Sequence, residues 1–454
     1  MKTLVLFVCC FIACLSVKSQ TLVGSWTGEL EVGLQKLRLV FRLDTNAQGI
    51  PVGFFDSPDQ GAKDIPVRVE HWGNDSLALA VPAISATYQG RYRGGQIDGT
   101  FAQSGFRFPL LLKPGTVEQN RPQTPQLPFP HAMEEVRFTN PDDGTILAGT
   151  LVYPVDYTPA CPVPVVLLVT GSGQQNRDEE LFGHKPFLVL ADYLARHGIA
   201  SLRYDDRGGG KSTGNAAQVT LASNLQDALA GIRYLQERKQ FSAVGIVGHS
   251  EGGLIAFLAA GCYPDTVDFI ISLAGNALSG KEVLVEQNRL GLLQGGAPSA
   301  VADDYCRVLQ EVFACRLRGV PVVAAARTID SLVLALGVEL PVALKANLVK
   351  VLELQNPWID SFLACEPAGA LSGIHCPVMA VYGSLDTQVL PQSNLNALRD
   401  RLSPDARHFL KIYPGLNHLF QPARTGSAME YATIETTLSP ELLLDIANWI
   451  NSLQ

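Results

Sequence analysis

Between Gln35 and Leu43 the chain reads QKLRLVFRL, with Leu37, Leu39, Phe41 and Leu43 at every second position and Lys36, Arg38 and Arg42 between them. An apolar period of two predicts a strand with one buried face. SLALAVP and FRFPLLL repeat the pattern, and Gly24, Gly28, Gly53, Gly90, Gly94, Gly95 and Gly105 punctuate the runs. Residues 20–113 therefore predict a small all-β domain, an antiparallel sandwich or barrel. PGTVEQNRPQTPQLPFP comes next, and its five prolines disfavour helix and central strand alike. That predicts an extended linker over 114–132.

From residue 133 the periodicity changes. EEVRFTN and ILAGTLVYP predict an opening hairpin, and PVVLLVTG, IASLRYDDRG, AVGIVG, DFIISLAG, PVMAVYG and HFLKIYPG predict further strands. Helical patterns lie between them. FLVLADYLARHG predicts a helix ending at Gly198. The next is predicted to start at Ser223, with Gln226 completing a capping box and Leu225, Ala228, Leu229, Ile232 and Leu235 forming one apolar stripe. The last is predicted to start at Ser439, with Pro440 in its first turn. Such alternation predicts an α/β domain over 133–454, a mostly parallel sheet with helices on both faces. Residues 276–370 interrupt it with helical patterns and no convincing strand. An insertion at the carboxyl edge of such a sheet lies over the crevice where ligands bind, so a helical lid is predicted there.

Composition narrows the picture. A chain of 454 residues with 47% apolar and 17% charged positions can build two or three cored domains. The net charge of −8 is spread out, with no basic cluster, which argues against a nucleic-acid partner. Residues 1–19 carry Lys2, then an apolar run from Leu4 to Leu15, then the small residues expected before a cleavage site. This predicts a signal peptide cut after Ser19 and a secreted or periplasmic product with no stable membrane span. A lipoprotein signal at Cys14 fits less well, because Phe11 stands where leucine is usual. Cys9, Cys10 and Cys14 would leave with that segment. Cys161, Cys262, Cys306, Cys315, Cys365 and Cys376 remain, match no metal-binding spacing, and are expected to be mostly buried and reduced.

The chemistry enters at VGIVGHSEGGLIAFLAA. Gly248-His249-Ser250-Glu251-Gly252 is a G-x-S-x-G sequence between a predicted strand and a predicted helix. A serine there sits on a strained turn with its oxygen clear of the sheet, and the flanking glycines relieve the crowding. A serine hydroxyl becomes a nucleophile only when a base takes its proton, and the base needs an acid to orient it. Asp386 follows PVMAVYG and His418 follows HFLKIYPG, so both fall at carboxyl ends of successive strands, on the edge that carries Ser250. Donors for an oxyanion are expected from the backbone N–H of Glu251 and of Ser172 in the Thr170-Gly171-Ser172-Gly173 loop, with Gly173 as the neighbouring alternative. His184, near that loop, is a candidate substrate contact, and His249 is too close to Ser250 to turn back onto it easily. Trp358 and Phe362 are candidates for an apolar acyl pocket, or for packing inside the insertion. DDRGGGKSTG lacks the first glycine of a phosphate loop and predicts a structural turn.

With TGSGQQNRDE, YDDRGGGKS, GHSEGG, PWIDSFL, CPVMAVYGSLDTQV and GLNHLFQ in view, residues from about 134 onward resemble an α/β-hydrolase of the serine aminopeptidase-like branch. With the leading GSWTGEL and DSPDQGA, nearly the whole mature chain resembles EstD-type carboxylesterases. The resemblance implies a triad at Ser250, Asp386 and His418 and hydrolysis of small carboxylic esters with short acyl chains, without a cofactor or metal. Thr170 stands where the usual oxyanion motif has histidine. Two other functions remain open: a serine aminopeptidase gripping an amino terminus through Glu339, Glu353 or Glu366, and a carbohydrate- or partner-binding protein with an inert hydrolase part. Dehalogenase and epoxide-hydrolase chemistry is excluded, since each needs a carboxylate nucleophile where Ser250 stands.

Overall fold

The computed structural model describes residues 22–33, 35–73, 75–117 and 119–454, with only the main chain at Gln35. The predicted signal segment lies outside them. The described residues form two compact units, one ending at residue 117 and the other starting at residue 119. Among the described residues no helix is long and apolar enough to cross a membrane.

The first unit is a closed barrel of eight antiparallel strands, each paired with the next in sequence and the last with the first. In the strand Gln35–Thr45 the alternation holds: Leu39, Phe41 and Leu43 are buried, while Arg42 binds Asp56 and Asp64 and Arg38 binds Asp59. Closure removes the free edges that an open sheet of this size would expose. The barrel is filled by Trp26, Phe41, Phe55, Tyr88 and Phe101 among aliphatic residues.

In the second unit eight strands form one sheet. Its spatial order is Phe409–Tyr413, Val378–Gly383, Phe269–Leu273, Phe241–His249, Val163–Val169, Ala200–Tyr204, Ile146–Val152 and Met133–Thr139. The opening pair is an antiparallel hairpin, Ile146–Val152 also runs antiparallel to Ala200–Tyr204, and all later pairings are parallel. The central strands are nearly continuous apolar runs, as burial on both faces requires. The helix after Ala200–Tyr204 spans Leu221–Glu237, and its capping box joins Thr220 to Ser223 rather than Ser223 to Gln226. Thr220 has the extended backbone that a cap requires, whereas Ser223 already lies within the first turn. The last helix, Pro440–Ser452, starts after Ser439 as expected.

Residues 119–132 form no helix or strand, yet they are bound to the second unit. Arg121 donates to the carbonyls of Phe182 and Ala432, and Gln123 exchanges hydrogen bonds with Thr437 and Leu438. Between Phe269–Leu273 and Val378–Gly383 the chain is helical, from Gly280–Gln294 to Ala368–Ser372, with a small core of its own around Tyr305, Leu309, Phe313 and Leu348. The described cysteines are unpaired; Cys306 and Cys315 are buried, but Cys161 and Cys262 are exposed, contrary to the expectation for most of them. The DDRGGGKSTG turn is structural: the Asp205 carboxylate accepts from the Arg177 guanidinium and from the backbone of Arg177 and Lys211.

Arg207 is buried and is held by Asp227 through two bonds of 2.7 Å, with Asn140 bonding the same carboxylate. Asp227→Ala leaves that buried guanidinium only the more exposed Asp143 as an ionic partner, and is expected to lower stability by about 3–5 kcal/mol. Urea unfolding of the two proteins measures the difference.

Candidate active site

Strand Phe241–His249 runs into helix Glu251–Cys262 with Ser250 alone between them. Ser250 has φ 53° and ψ −114°, a conformation that L residues avoid. Bonds on both sides hold it there. Its N–H donates to Leu273 O at 2.8 Å, and its carbonyl accepts from the N–H of Gly253 and Leu254. A Cβ on Gly248 would lie 1.9 Å from Gly252 O, and one on Gly252 would lie 2.0 Å from Val169 O. Backbone meets backbone at both positions, so no side chain fits at either. The N–H groups of Glu251 and Gly252, which precede these bonds, have no acceptor within the helix and lie beside the serine.

Asp386 and His418 follow strands Val378–Gly383 and Phe409–Tyr413. His418 Nδ1 is 2.8 Å from Asp386 Oδ2, while Asp386 Oδ1 accepts the N–H of Gln388 and Val389. Both residues are buried. With Nδ1 tied to the carboxylate, Nε2 is the nitrogen left to exchange a proton. No bond from the Ser250 hydroxyl to His418 is present among the described residues. The loops meet one residue earlier: the His249 and His418 rings lie 4.9 Å apart, and His249 Nε2 is 3.0 Å from the His418 carbonyl oxygen. Catalytic hydrogen bonds are commonly long in a free enzyme and tighten when substrate binds.

The loop after Val163–Val169 reaches the serine. A Cβ on Gly171 would lie 3.4 Å from Ser250 Cβ. The Gly171 N–H is spent on Glu179 Oε1 at 2.8 Å, whereas Ser172 and Gly173 are exposed. Thr170, in the position usually held by histidine, donates its hydroxyl to Asp206 Oδ1 at 2.7 Å. A cavity of about 500 Å³ opens beside this loop, lined by Ser172, Gly173, Asp206, Asn224, Asn356 and Trp358 among others. Trp358 comes from the insertion, and its indole N–H donates to the Glu251 carboxyl, which also accepts from Asn224. Burial raises the pKa of Glu251.

The remaining predicted residues lie elsewhere. His184 is fully buried, with Nδ1 2.8 Å from Thr437 Oγ1 and Nε2 3.1 Å from Tyr431 O, and it is absent from the cavity lining. It ties down a loop near the C-terminus instead of facing substrate. Phe362 is buried and stacks on Trp358 at 5.2 Å, so it packs in the core behind the cavity. Three residues of the site were not predicted in these roles: Glu179, Asp206 and His249. Their signal was present in QQNRDE, YDDRG and GHSEGG, but nothing in the local pattern of any one stretch shows that they meet.

The strand order, numbered along the chain, is 1-2-4-3-5-6-7-8, with the second strand reversed. Joined to a serine elbow after the fifth strand and an acid–histidine pair after the seventh and eighth, it gives the second unit the α/β-hydrolase fold. Residues 185–297 match the family described as Hydrolase_4, serine aminopeptidase, S33. Esterase EstD of Thermotoga maritima is 23% identical over 289 residues, which cover 64% of this chain and 62% of that protein, less than two thirds of its length. Among solved structures, the Pyrococcus furiosus esterase Pf2001 has 14% identity and a TM-score of 0.42, covering 74% of this chain and 99% of that one. Est1E from Butyrivibrio proteoclasticus has 16% identity and a TM-score of 0.40, covering 70% and 98%.

Asp206 is pushed up to about 7, chiefly by burial, with Glu251 and Glu179 adding repulsion against the bonds from Thr170 and Gln175. A carboxyl that holds its proton more tightly when folded loses stability as pH rises from its unfolded value, near 4, through the folded value. The folded protein should therefore weaken between about pH 4 and pH 7. In Asp206→Asn that part of the decline should vanish. Melting temperatures of both proteins across the window test this.

Proposed function

We propose that the protein is a serine hydrolase that cleaves small carboxylic esters through an acyl-enzyme on Ser250. The observation that carries the reading is the buried Asp386–His418 pair, at 2.8 Å, on the sheet edge where Ser250 sits in its strained turn. The Ser250 oxygen attacks the acyl carbon while His418 Nε2 takes its proton. The negative oxygen of the tetrahedral intermediate is held by the N–H groups of Glu251 and Ser172, with Gly173 adjacent. His418 then gives the proton to the departing alcohol. Water enters, loses a proton to His418 and releases the acid, and the proton returns to Ser250. Asp386 keeps Nδ1 protonated and stabilises the imidazolium at each stage.

The helical insertion acts as a lid, anchored where Trp358 meets Glu251. The cavity beneath it is less apolar than the sequence suggests, since Asp206, Gln174, Asn224 and Asn356 share its wall with Trp358. A short acyl group suits such a wall better than a long alkyl chain, whose burial would strand those polar groups. Similarity to Esterase EstD favours an ester over a peptide amide. Glu339, Glu353 and Glu366 do not line that cavity, so it lends no support to a grip on an amino terminus. Export after cleavage at Ser19 is part of the same proposal.

Ser250→Ala should lower turnover of p-nitrophenyl acetate and butyrate by about 10⁶-fold, and Asp386→Asn by about 10⁴-fold. Both should keep the wild-type circular dichroism. An active Ser250→Ala, or turnover of amino-acid p-nitroanilides without ester turnover, overturns the reading.

A further inference from the structure

His249, the residue before Ser250, has a bonding pattern that one neutral imidazole beside an ionised Glu179 cannot satisfy. His249 is buried, with Nε2 3.0 Å from the His418 carbonyl oxygen and Nδ1 2.8 Å from Glu179 Oε1. A carbonyl only accepts, so Nε2 carries a proton. Glu179 Oε1 already accepts the Gly171 N–H at 2.8 Å and, as a carboxylate, also only accepts. Nδ1 therefore carries a proton as well, and the ring is an imidazolium beside a buried carboxylate. Phe187, Leu190, Leu273, Leu419 and Phe420 line the space around the pair. In such surroundings the two charges depend on each other, because either one alone would be costly to bury.

The pair connects three separate segments. Through Glu179 it holds Gly171, the residue before Ser172. Through the end of its own strand it adjoins Ser250. Through Nε2 it holds the main chain of His418, whose ring Asp386 holds from the other side. Glu179 itself has φ 52°, a strained value kept by these bonds. We propose that the Glu179–His249 ion pair is a positioning device that sets the oxyanion loop and the loop of the base in register around Ser250, and that turnover requires His249 in its charged form. Neither residue takes the proton of the serine.

The charged groups that bear on His249 are Glu179, the His418 ring and Asp386. Burial works against its charge, but the Glu179 carboxylate, helped by the His418 carbonyl and Asp386, outweighs burial and raises the pKa above its ordinary value. As pH rises through that raised value the ring loses one of its two protons. One tie is then lost, so kcat should fall on the alkaline side.

This inference rests on the serine-hydrolase reading, and the test separates the two by expressing rates per Ser250 labelled with a fluorophosphonate probe. Wild type that is neither labelled nor active defeats the reading itself. Glu179→Gln keeps an acceptor for Gly171 but removes the charge, leaving His249 one proton for two acceptors. Its kcat for p-nitrophenyl acetate, per labelled site, should drop by about 10²-fold with KM little changed. Its alkaline limb should move to lower pH by about one unit or more. Glu179→Asp, which keeps the charge, should recover the position of that limb. If either the rate per labelled site or the alkaline limb of Glu179→Gln matches wild type, the pair is merely structural and the proposal is overturned. Should Glu179→Gln fail to fold, nitrogen-15 NMR of the wild-type histidines at pH 8 decides. A ring protonated at both nitrogens and missing in His249→Gln supports the proposal, and its absence overturns it.

Discussion

The whole catalytic corner depends on a contact in which no side chain takes part. The start of helix Glu251–Cys262 lies against the end of strand Val163–Val169 so closely that Gly252 meets the carbonyl of Val169. Because that position carries no Cβ, the turn after Phe241–His249 can be sharp enough to push Ser250 into an unfavourable φ and ψ. A conformation of this kind costs about 1–3 kcal/mol. The fully buried strands on either side offset it, since Val163–Val169 and Phe269–Leu273 clamp the strand of the elbow along its length. The same contact brings the Gly171 loop alongside the serine. A nucleophile and the backbone donors proposed to serve it are thus placed by one packing event.

Around this corner the protein buries charge that it must then satisfy. Arg203 pairs with Asp178, Arg177 with Asp205 and Glu135, and Arg207 with Asp227 and Asp143. Those pairs tie loops to the sheet. The groups nearer Ser250 differ in kind. Asp386 orients an imidazole, and burial pushes Asp206 up to about 7. Glu251, the residue after Ser250, accepts from Trp358 of the insertion. The insertion is therefore fastened to the elbow itself, so any movement of its helix Pro357–Leu363 is felt one residue from Ser250.

Much of this was legible in the residues. Periodicity located the β region, the alternating region and the helical interruption, because burial of one face or of both leaves its mark on every second or every third and fourth position. The elbow was legible because its geometry demands glycine at fixed offsets. Asp386 and His418 were legible because strand ends in a parallel sheet share one edge. The helix cap at Thr220 was displaced by three residues, since Ser223 is equally suited to capping and only the backbone angle decides. Closure of the β region into a barrel was open, as a sandwich uses the same alternation. Residues 119–132 read as a spacer, although Arg121 and Gln123 bind distant carbonyls.

The sequence by itself determined the kinds of element, their order and the residues able to perform nucleophilic chemistry, because each is written in local spacing. Only the tertiary structure decided which polar residues meet. His249 and Glu179 are 70 positions apart, and His249 and His418 are 169 apart. His184 looked like a neighbour of substrate and is instead sealed against Thr437, 253 positions away. Hydrogen bonds of this range depend on how the loops leave the sheet, and no periodicity along a single stretch of chain records that.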